Sequence, residues 1–258
     1  MITSAHNPTV KRVTSLQTQR KAREAEGQFI IEGPRLAEEA LRARANVELV
    51  LYTLNLDERS RMAVGQLERL GARAEGVSET VMAAISDTET PAGLLAIVAM
   101  PTFLILPHPG FALVLDRISD PGNLGTLLRT AEAAGVQAVF LMPGTVDAFN
   151  PKVVRAAMGA HFRIPVAEAR WETLAGQLGG AAVWLAEARA GQDYATVDWQ
   201  GPSALIVGSE AEGPSAAARA FTRQTVHIPM PGRAESLNVA VAAGILLFAA
   251  ARQRQAAA

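Results

Sequence analysis

Short apolar runs alternate along this chain with longer stretches in which apolar positions recur at helical spacing. The runs read as strands and the periodic stretches as helices. Residues 16–25 are rich in Lys, Arg, Gln, Ala and Glu and predict a helix. A strand is expected over 28–32. Gly33-Pro34 then opens a helix through 44, with Leu36, Ala40 and Leu41 on one stripe. A strand over 47–52 and a helix over 57–70, closed by Gly71, follow. Val77-Ser78-Glu79 starts a helix to 85, and 94–100 is a closing strand. These elements make a small α/β unit. Pro101, Pro107, Pro109 and Gly110 crowd the next stretch and mark a boundary. The chain divides there into residues 1–105 and 106–258, so that removal of 1–105 is expected to spare folding of the remainder.

Beyond the boundary the pattern changes character. Residues 111–116 form a wholly apolar strand ending on Asp116. Further strands are expected at 138–142, 163–166, 181–186, 204–207 and 225–228. Helices are expected at 123–134, 153–158, 171–178 and 237–253. Apolar strands alternating with helices predict a parallel sheet covered on both faces. The apolar run 239–251 is too short to span a bilayer and reads as a buried helix. No internal repeat occurs, and the Ala-rich tail 253–258 is expected to fray.

Composition narrows the classes. The chain has 258 residues, 49% of them hydrophobic, enough for one large core or two ordinary ones. It has no cysteine, which removes disulfides, thiolate metal sites and cysteine nucleophiles. That fits a reducing cytoplasm, and Met1-Ile2-Thr3-Ser4 opens no apolar stretch of signal-peptide length. His6, His108, His161 and His227 show no zinc-site spacing, so no metal is expected. No Gly-x-Gly-x-x-Gly is present, against a dinucleotide fold. The net charge of −1 excludes a globally basic nucleic-acid binder. Residues 1–23 nevertheless hold Lys11, Arg12, Arg20, Lys21 and Arg23 without an acid. Such a run either contacts phosphates or forms a solvated helix face.

Three polar-glycine segments follow apolar runs in the second half. The first spans Asp120-Pro121-Gly122-Asn123 to Ala131. Pro121-Gly122 reads as a tight turn, with Asn123 capping the helix. Arg129, six residues on, falls on a different helix face. In the second, Gly208 ends a strand where a bend or a close ligand approach is needed, and Glu210 binds a hydroxyl or ammonium or is simply solvated. The third joins Ile228-Pro229-Met230 to Ser236-Leu237-Asn238. Ile228 and Leu237 are suited to flank an adenine, Ser236 to cap the last helix, and Asn238 to sit in its first turn.

Asn-x-Gly-x-x-x-Arg-Thr-Ala at 123–131, Val-Gly-x-Glu-x-x-Gly at 207–213 and the third segment, in this order, resemble the motifs of SpoU/TrmH-type RNA 2′-O-ribose methyltransferases. The resemblance covers roughly residues 110–250. It implies a parallel-sheet domain with a deep trefoil knot, the 231–235 loop being threaded through another. It implies transfer of a methyl group from S-adenosylmethionine to a ribose 2′-hydroxyl of structured RNA, ribosomal RNA ahead of tRNA, without metal. It places Arg129, Asn123, Glu210, Ser236 and Asn238 in the catalytic site. Gly208, Ile228, Met230, Leu237 and Leu185 fall at the methyl donor. Arg129 acts there as a base or as an electrostatic stabiliser of the forming alkoxide. Lys152 and Arg155 in the 150–160 segment touch RNA phosphates or form a solvated face, and Ala157 stands where the family often has serine. The family acts as homodimers. Residues 1–100 resemble its smaller N-terminal α/β RNA-binding domain, through Ser4-Ala5-His6-Asn7-Pro8 and Phe29-Ile30-Ile31-Glu32-Gly33. The competing readings are a non-catalytic RNA-binding or ribosome-assembly protein of the same fold, and a small-molecule α/β enzyme.

Overall fold

The computed structural model describes residues 1–104, 107–210 and 212–257. The expected boundary at 105/106, Ala211 of the second motif and the last residue of the Ala-rich tail lie outside the described residues. Elements in the first part are α1 (Pro8–Thr18), α2 (Arg20–Glu26), β1 (Gln28–Glu32), α3 (Pro34–Arg42), β2 (Val47–Tyr52), α4 (Glu58–Arg69), β3 (Arg73–Gly76), α5 (Glu79–Ile85) and β4 (Leu94–Ala99). The rest comprises β5 (Phe111–Asp116), α6 (Pro121–Ala133), β6 (Ala138–Leu141), α7 (Pro151–Ala157), β7 (Val166–Glu168), α8 (Trp171–Leu178) and β8 (Ala182–Ala186). It continues with β9 (Gln192–Asp193), β10 (Ser203–Gly208), α9 (Ala216–Phe221), β11 (Thr225–His227) and α10 (Val239–Ala257).

Two compact units result, and they do not follow chain order. One holds Met1–Thr102 together with Asp147–Arg163, the other Phe103–Val146 together with Ile164–Ala258. Residues 147–163, which the sequence reading assigns to the C-terminal part, therefore pack in the first unit.

The first unit is a four-stranded sheet of order β1-β4-β2-β3, antiparallel except for the β2/β3 pair. Alternate residues of each strand enter opposite cores. Phe29, Ile31, Val50, Leu94 and Ala96 face one cluster, and Ile30, Leu49, Leu51, Leu95 and Ile97 the other. Val154 and Phe162 of the returning segment complete the first cluster, and Phe149 stacks on Phe29 with ring centroids 5.0 Å apart. The predicted single helix over 16–25 is two helices. Asn7 caps α1 by accepting from Thr9 N at 2.8 Å, with Pro8 as first helical residue. The chain then breaks at the extended Gln19. β3 escapes sequence patterning because Arg73-Ala74-Glu75-Gly76 is a short, mostly polar edge strand.

The second unit is a seven-stranded sheet of order β7-β6-β5-β10-β8-β11-β9, every pair parallel. Val114, Phe140, Leu174 and Ile206 fill one face. α10 packs against α6 and β10. Arg254 near the end of α10 donates to Gly110 O and Ser203 Oγ, each at 2.8 Å, and lies over the Phe111 ring. Burial lowers its pKa. The expected strand 163–166 lies instead at 166–168, because residues 160–162 coil into a 3-10 turn.

Candidate active site

The carboxyl ends of β8, β10 and β11 open onto one cleft of about 770 Å³, open solvent at its mouth included. Parallel strands deliver their following loops to this edge, the usual place for a ligand in such sheets. The walls come from Ala186 to Ala188, from Val207 to Glu210 with Gly213 and Pro214, and from Ile228, Met230, Ser236 and Leu237 with the first turns of α10. Gly208, Glu210, Ile228, Met230, Ser236 and Leu237 all line it. Leu185 does not. It is buried in the core beneath, and the next residues of the same strand end take its place.

Gly208 is required by packing rather than by its φ. A Cβ there would stand 2.5 Å from both N and Cα of Pro214, because the loop folds straight back on the strand. Gly213 closes that loop with its N–H on Ser209 O at 2.9 Å and a left-handed φ of 66°. Buried Asp116 at the end of β5 accepts from Ser215 N at 2.6 Å and ties the loop down.

Asn123, Glu210 and Asn238, one residue from each motif, meet at the rim. Glu210 accepts from Asn123 Nδ2 at 2.8 Å, from Asn238 Nδ2 at 2.6 Å and from Val239 N at 3.0 Å. Asn238 Nδ2 also donates to Asn123 Oδ1 at 3.0 Å. The carboxylate sits at the start of α10, where unpaired N–H groups favour negative charge. Two expected caps move. Asp120, not Asn123, caps α6 by accepting from Asn123 N at 2.7 Å, and Pro121-Gly122 form the first helical turn rather than a separate one. Asn238, not Ser236, caps α10, its Oδ1 accepting from Ala240 N and Val241 N at 3.0 and 3.3 Å. The caps free the Asn123 side chain to reach across to Glu210.

Arg129 lies on the exposed face of α6, outside the cleft lining, and makes no hydrogen bond or ion pair among the described residues. Asn123 and Arg129 thus occupy different faces, as their spacing requires.

The basic residues separate into two groups. Arg23 is only 3% exposed. It donates to Asp147 Oδ2 through Nε at 2.9 Å, to Leu16 O at 2.6 Å and to Gln17 O at 3.0 Å. It is a structural clamp, closed to a phosphate in this conformation. Arg12 is held by Glu48 and Glu26, the Nε–Glu26 contact being 2.7 Å. These partners raise its pKa, and it holds the Glu48 carboxyl down to about 2. Arg155 pairs with Asp87, and Arg20 with Glu24 at 2.6 Å. Lys11, Lys21 and Lys152 have no ion pair among the described residues, and all three are exposed. The sequence read one sign of charge along 1–23. The fold supplies the acids from distant positions.

Glu187 is the ionisable residue of the cleft lining that sequence reasoning missed. The available signal was its position as the first residue past a predicted strand. Among the described residues no group of acids and histidines is arranged to hold a metal ion, and no helix is long and apolar enough to cross a membrane.

A parallel sheet with a glycine-walled apolar cleft at its carboxyl edge and an Asn/Glu/Asn cluster on the rim has its cavity where such sheets carry their ligands. Residues 110–248 match the SpoU rRNA Methylase family, and the chain belongs to it. Residues 7–96 match the MRM3-like substrate binding domain. The chain is 39% identical to the 23S rRNA (guanosine(2553)-2'-O)-methyltransferase RlmP of Bacillus subtilis (strain 168), over 96% of this chain and 97% of the relative. A crystal structure of an AdoMet-bound rRNA methyltransferase from Sinorhizobium meliloti is 32% identical, with a TM-score of 0.85 over 97% of each chain. The SpoU methyltransferase AviRb from Streptomyces viridochromogenes, in complex with the cofactor AdoMet, is 27% identical, with a TM-score of 0.86 over 97% of this chain and 99% of that one.

Proposed function

We propose that this protein transfers the methyl group of S-adenosylmethionine to a ribose 2′-hydroxyl of 23S ribosomal RNA. The observation that carries the reading is the hydrogen-bonded Asn123–Glu210–Asn238 cluster on the rim of the cleft that Gly208, Ile228 and Leu237 line. Family membership gives that cluster its chemistry. The donor fits the cleft on its own terms. Ile228, Leu237, Val239 and Leu246 offer apolar walls to a purine, and the glycine loop lets backbone N–H and C=O groups approach its edge. When bound, the donor supplies an activated methyl on a sulfonium leaving group, so the protein has mainly to align and to activate a hydroxyl.

Glu210 has both carboxylate oxygens committed to N–H donors. Its role is to position the rim, not to accept the hydroxyl proton. Arg129 presents a planar guanidinium with five N–H donors to solvent. As an exposed, unpaired cation it binds an RNA phosphate and stabilises the developing alkoxide. Ser236 contacts substrate at the cleft mouth. The first unit holds the RNA, with Lys11, Arg20, Lys21 and Lys152 at its phosphates.

A second copy of the chain completes the assembly. Val241 and Phe248, seven residues apart on α10, are 52% and 51% exposed, an apolar stripe suited to a partner helix. The chain is soluble and cytoplasmic in this reading, and its 231–235 connection is knotted as in the family.

The test is mapping of 2′-O-methyl groups in unmodified ribosomal RNA incubated with purified protein and S-adenosylmethionine. One new methylated ribose is expected, and no incorporation would refute the reading. Arg129→Ala should abolish transfer and leave donor affinity nearly intact, and near-normal turnover would overturn its assigned role.

A further inference from the structure

The cleft holds one acidic group that the three motifs do not include. Glu187 is the first residue beyond β8 and lines the cleft. Its backbone N–H donates to Val226 O at 2.9 Å, fixing it beside β11. Its side chain is 13% exposed and is ion-paired through Oε1 to Arg219 on α9. Oε2 accepts no hydrogen bond from any described residue. Glu210, the other carboxylate lining the cleft, has both oxygens engaged. Glu187 is therefore the cleft carboxylate with an acceptor to spare.

We infer that Glu187 recognises the 2′- and 3′-hydroxyls of the methyl donor's own ribose. The inference rests on the reading of the cleft as an S-adenosylmethionine site. Three observations lead to it. An acid at the carboxyl end of a parallel strand is placed as the hydroxyl-binding acids of nucleotide-binding sheets are, an analogy of position only. Arg219 already balances its charge, so a neutral pair of O–H donors suits it better than the donor's ammonium group, which would meet the guanidinium as well. The walls beyond it, Ile228 and Leu237, are apolar and fit the base, which puts the sugar between base and carboxylate. Arg219 is then a positioning residue that holds the carboxylate in one rotamer.

Calorimetric titration with S-adenosylhomocysteine, its 2′,3′-dideoxy analogue and its deaminated analogue tests this. The wild-type protein is expected to prefer S-adenosylhomocysteine to the dideoxy analogue by about tenfold or more, the value of hydrogen bonds to a charged acceptor. Glu187→Ala should abolish that preference and leave the discrimination against the deaminated analogue unchanged. Glu187→Gln keeps the shape and should lose most of the preference. The inference is overturned if the wild-type protein ignores the missing hydroxyls, a result that needs no variant. It is overturned equally if Glu187→Ala keeps the preference or loses ammonium discrimination instead. A wild-type protein that binds none of the three would bring down the methyltransferase reading too, whereas ordinary binding without hydroxyl preference sinks this inference alone.

Discussion

Arg23 is the residue on which sequence and structure disagree most sharply, and its replacement separates the two accounts. As part of a basic run it should serve RNA; in the fold it binds Asp147 and two backbone carbonyls. Arg23→Met keeps much of the volume but leaves Asp147, itself 16% exposed, without its cation. It also leaves Leu16 O without its donor, a carbonyl otherwise enclosed in the first unit. Breaking one side of a buried ion pair costs about 3–5 kcal/mol. Asp147 begins the segment 147–163, so the loss should appear there first. Taking the lower figure, the opening equilibrium of that segment rises about 150-fold. Hydrogen exchange of peptides spanning 147–163 reads this directly. Asp147→Asn should lose less, because the amide still accepts a hydrogen bond. The double variant should lose less than the sum of the two singles, since each removes the same contact. Unchanged exchange in Arg23→Met, together with weakened RNA binding, would refute the structural assignment and restore the phosphate role.

Three further outcomes follow from the same geometry. Removal of residues 1–102 takes the sheet away from Phe149, Val154 and Phe162, so the remaining chain should aggregate or bind a hydrophobic dye, contrary to the simple division at residue 105. A monodisperse, well-folded fragment on size exclusion would count against the interleaved units. Glu210→Gln sets an amide donor against Asn123 or Asn238 at the rim and should cost about 1–3 kcal/mol. Calorimetry should show a Tm lower by about 2–4 °C for each kcal/mol, and an unaltered Tm would show that the cluster does not bind as described. His161 is buried with Nε2 at 2.7 Å from Ala148 O, and desolvation lowers its pKa from 6.5 to about 4. The folded state thus favours the neutral ring. That contribution is complete above the unfolded value and drains away as pH falls from 6.5 towards 4. Urea unfolding at pH 4.5 should show about 2–3 kcal/mol of this loss relative to pH 7.5, and His161→Gln should remove most of that dependence.

Local signals were strong enough to place most elements. β1, β2, β5 and α8 lie where the apolar runs put them, because a continuous apolar run or a clean helical stripe has one good way to be buried. Glycine turns marked the ends of β10 and the loops that bound the cleft, and six cofactor or catalytic candidates line it together. Propensity failed where a cap or an edge position ruled instead. Examples are the start of α1 at Asn7-Pro8, the exchange of caps at Asp120 and Asn238, and polar β3 on the sheet edge.

The residue order by itself determined most of the strands and the parallel class of the second sheet, since each depends on neighbours a few positions away. Tertiary structure alone decided which charges are spent. Glu48, Asp147 and Asp87 come from far along the chain to occupy Arg12, Arg23 and Arg155. It alone returned residues 147–163 to the first unit, joined Asn123, Glu210 and Asn238 across the sheet edge, and left one oxygen of Glu187 without a donor among the described residues. Pairing between distant charges is set by where burial packs the backbone, and no local pattern records that distance.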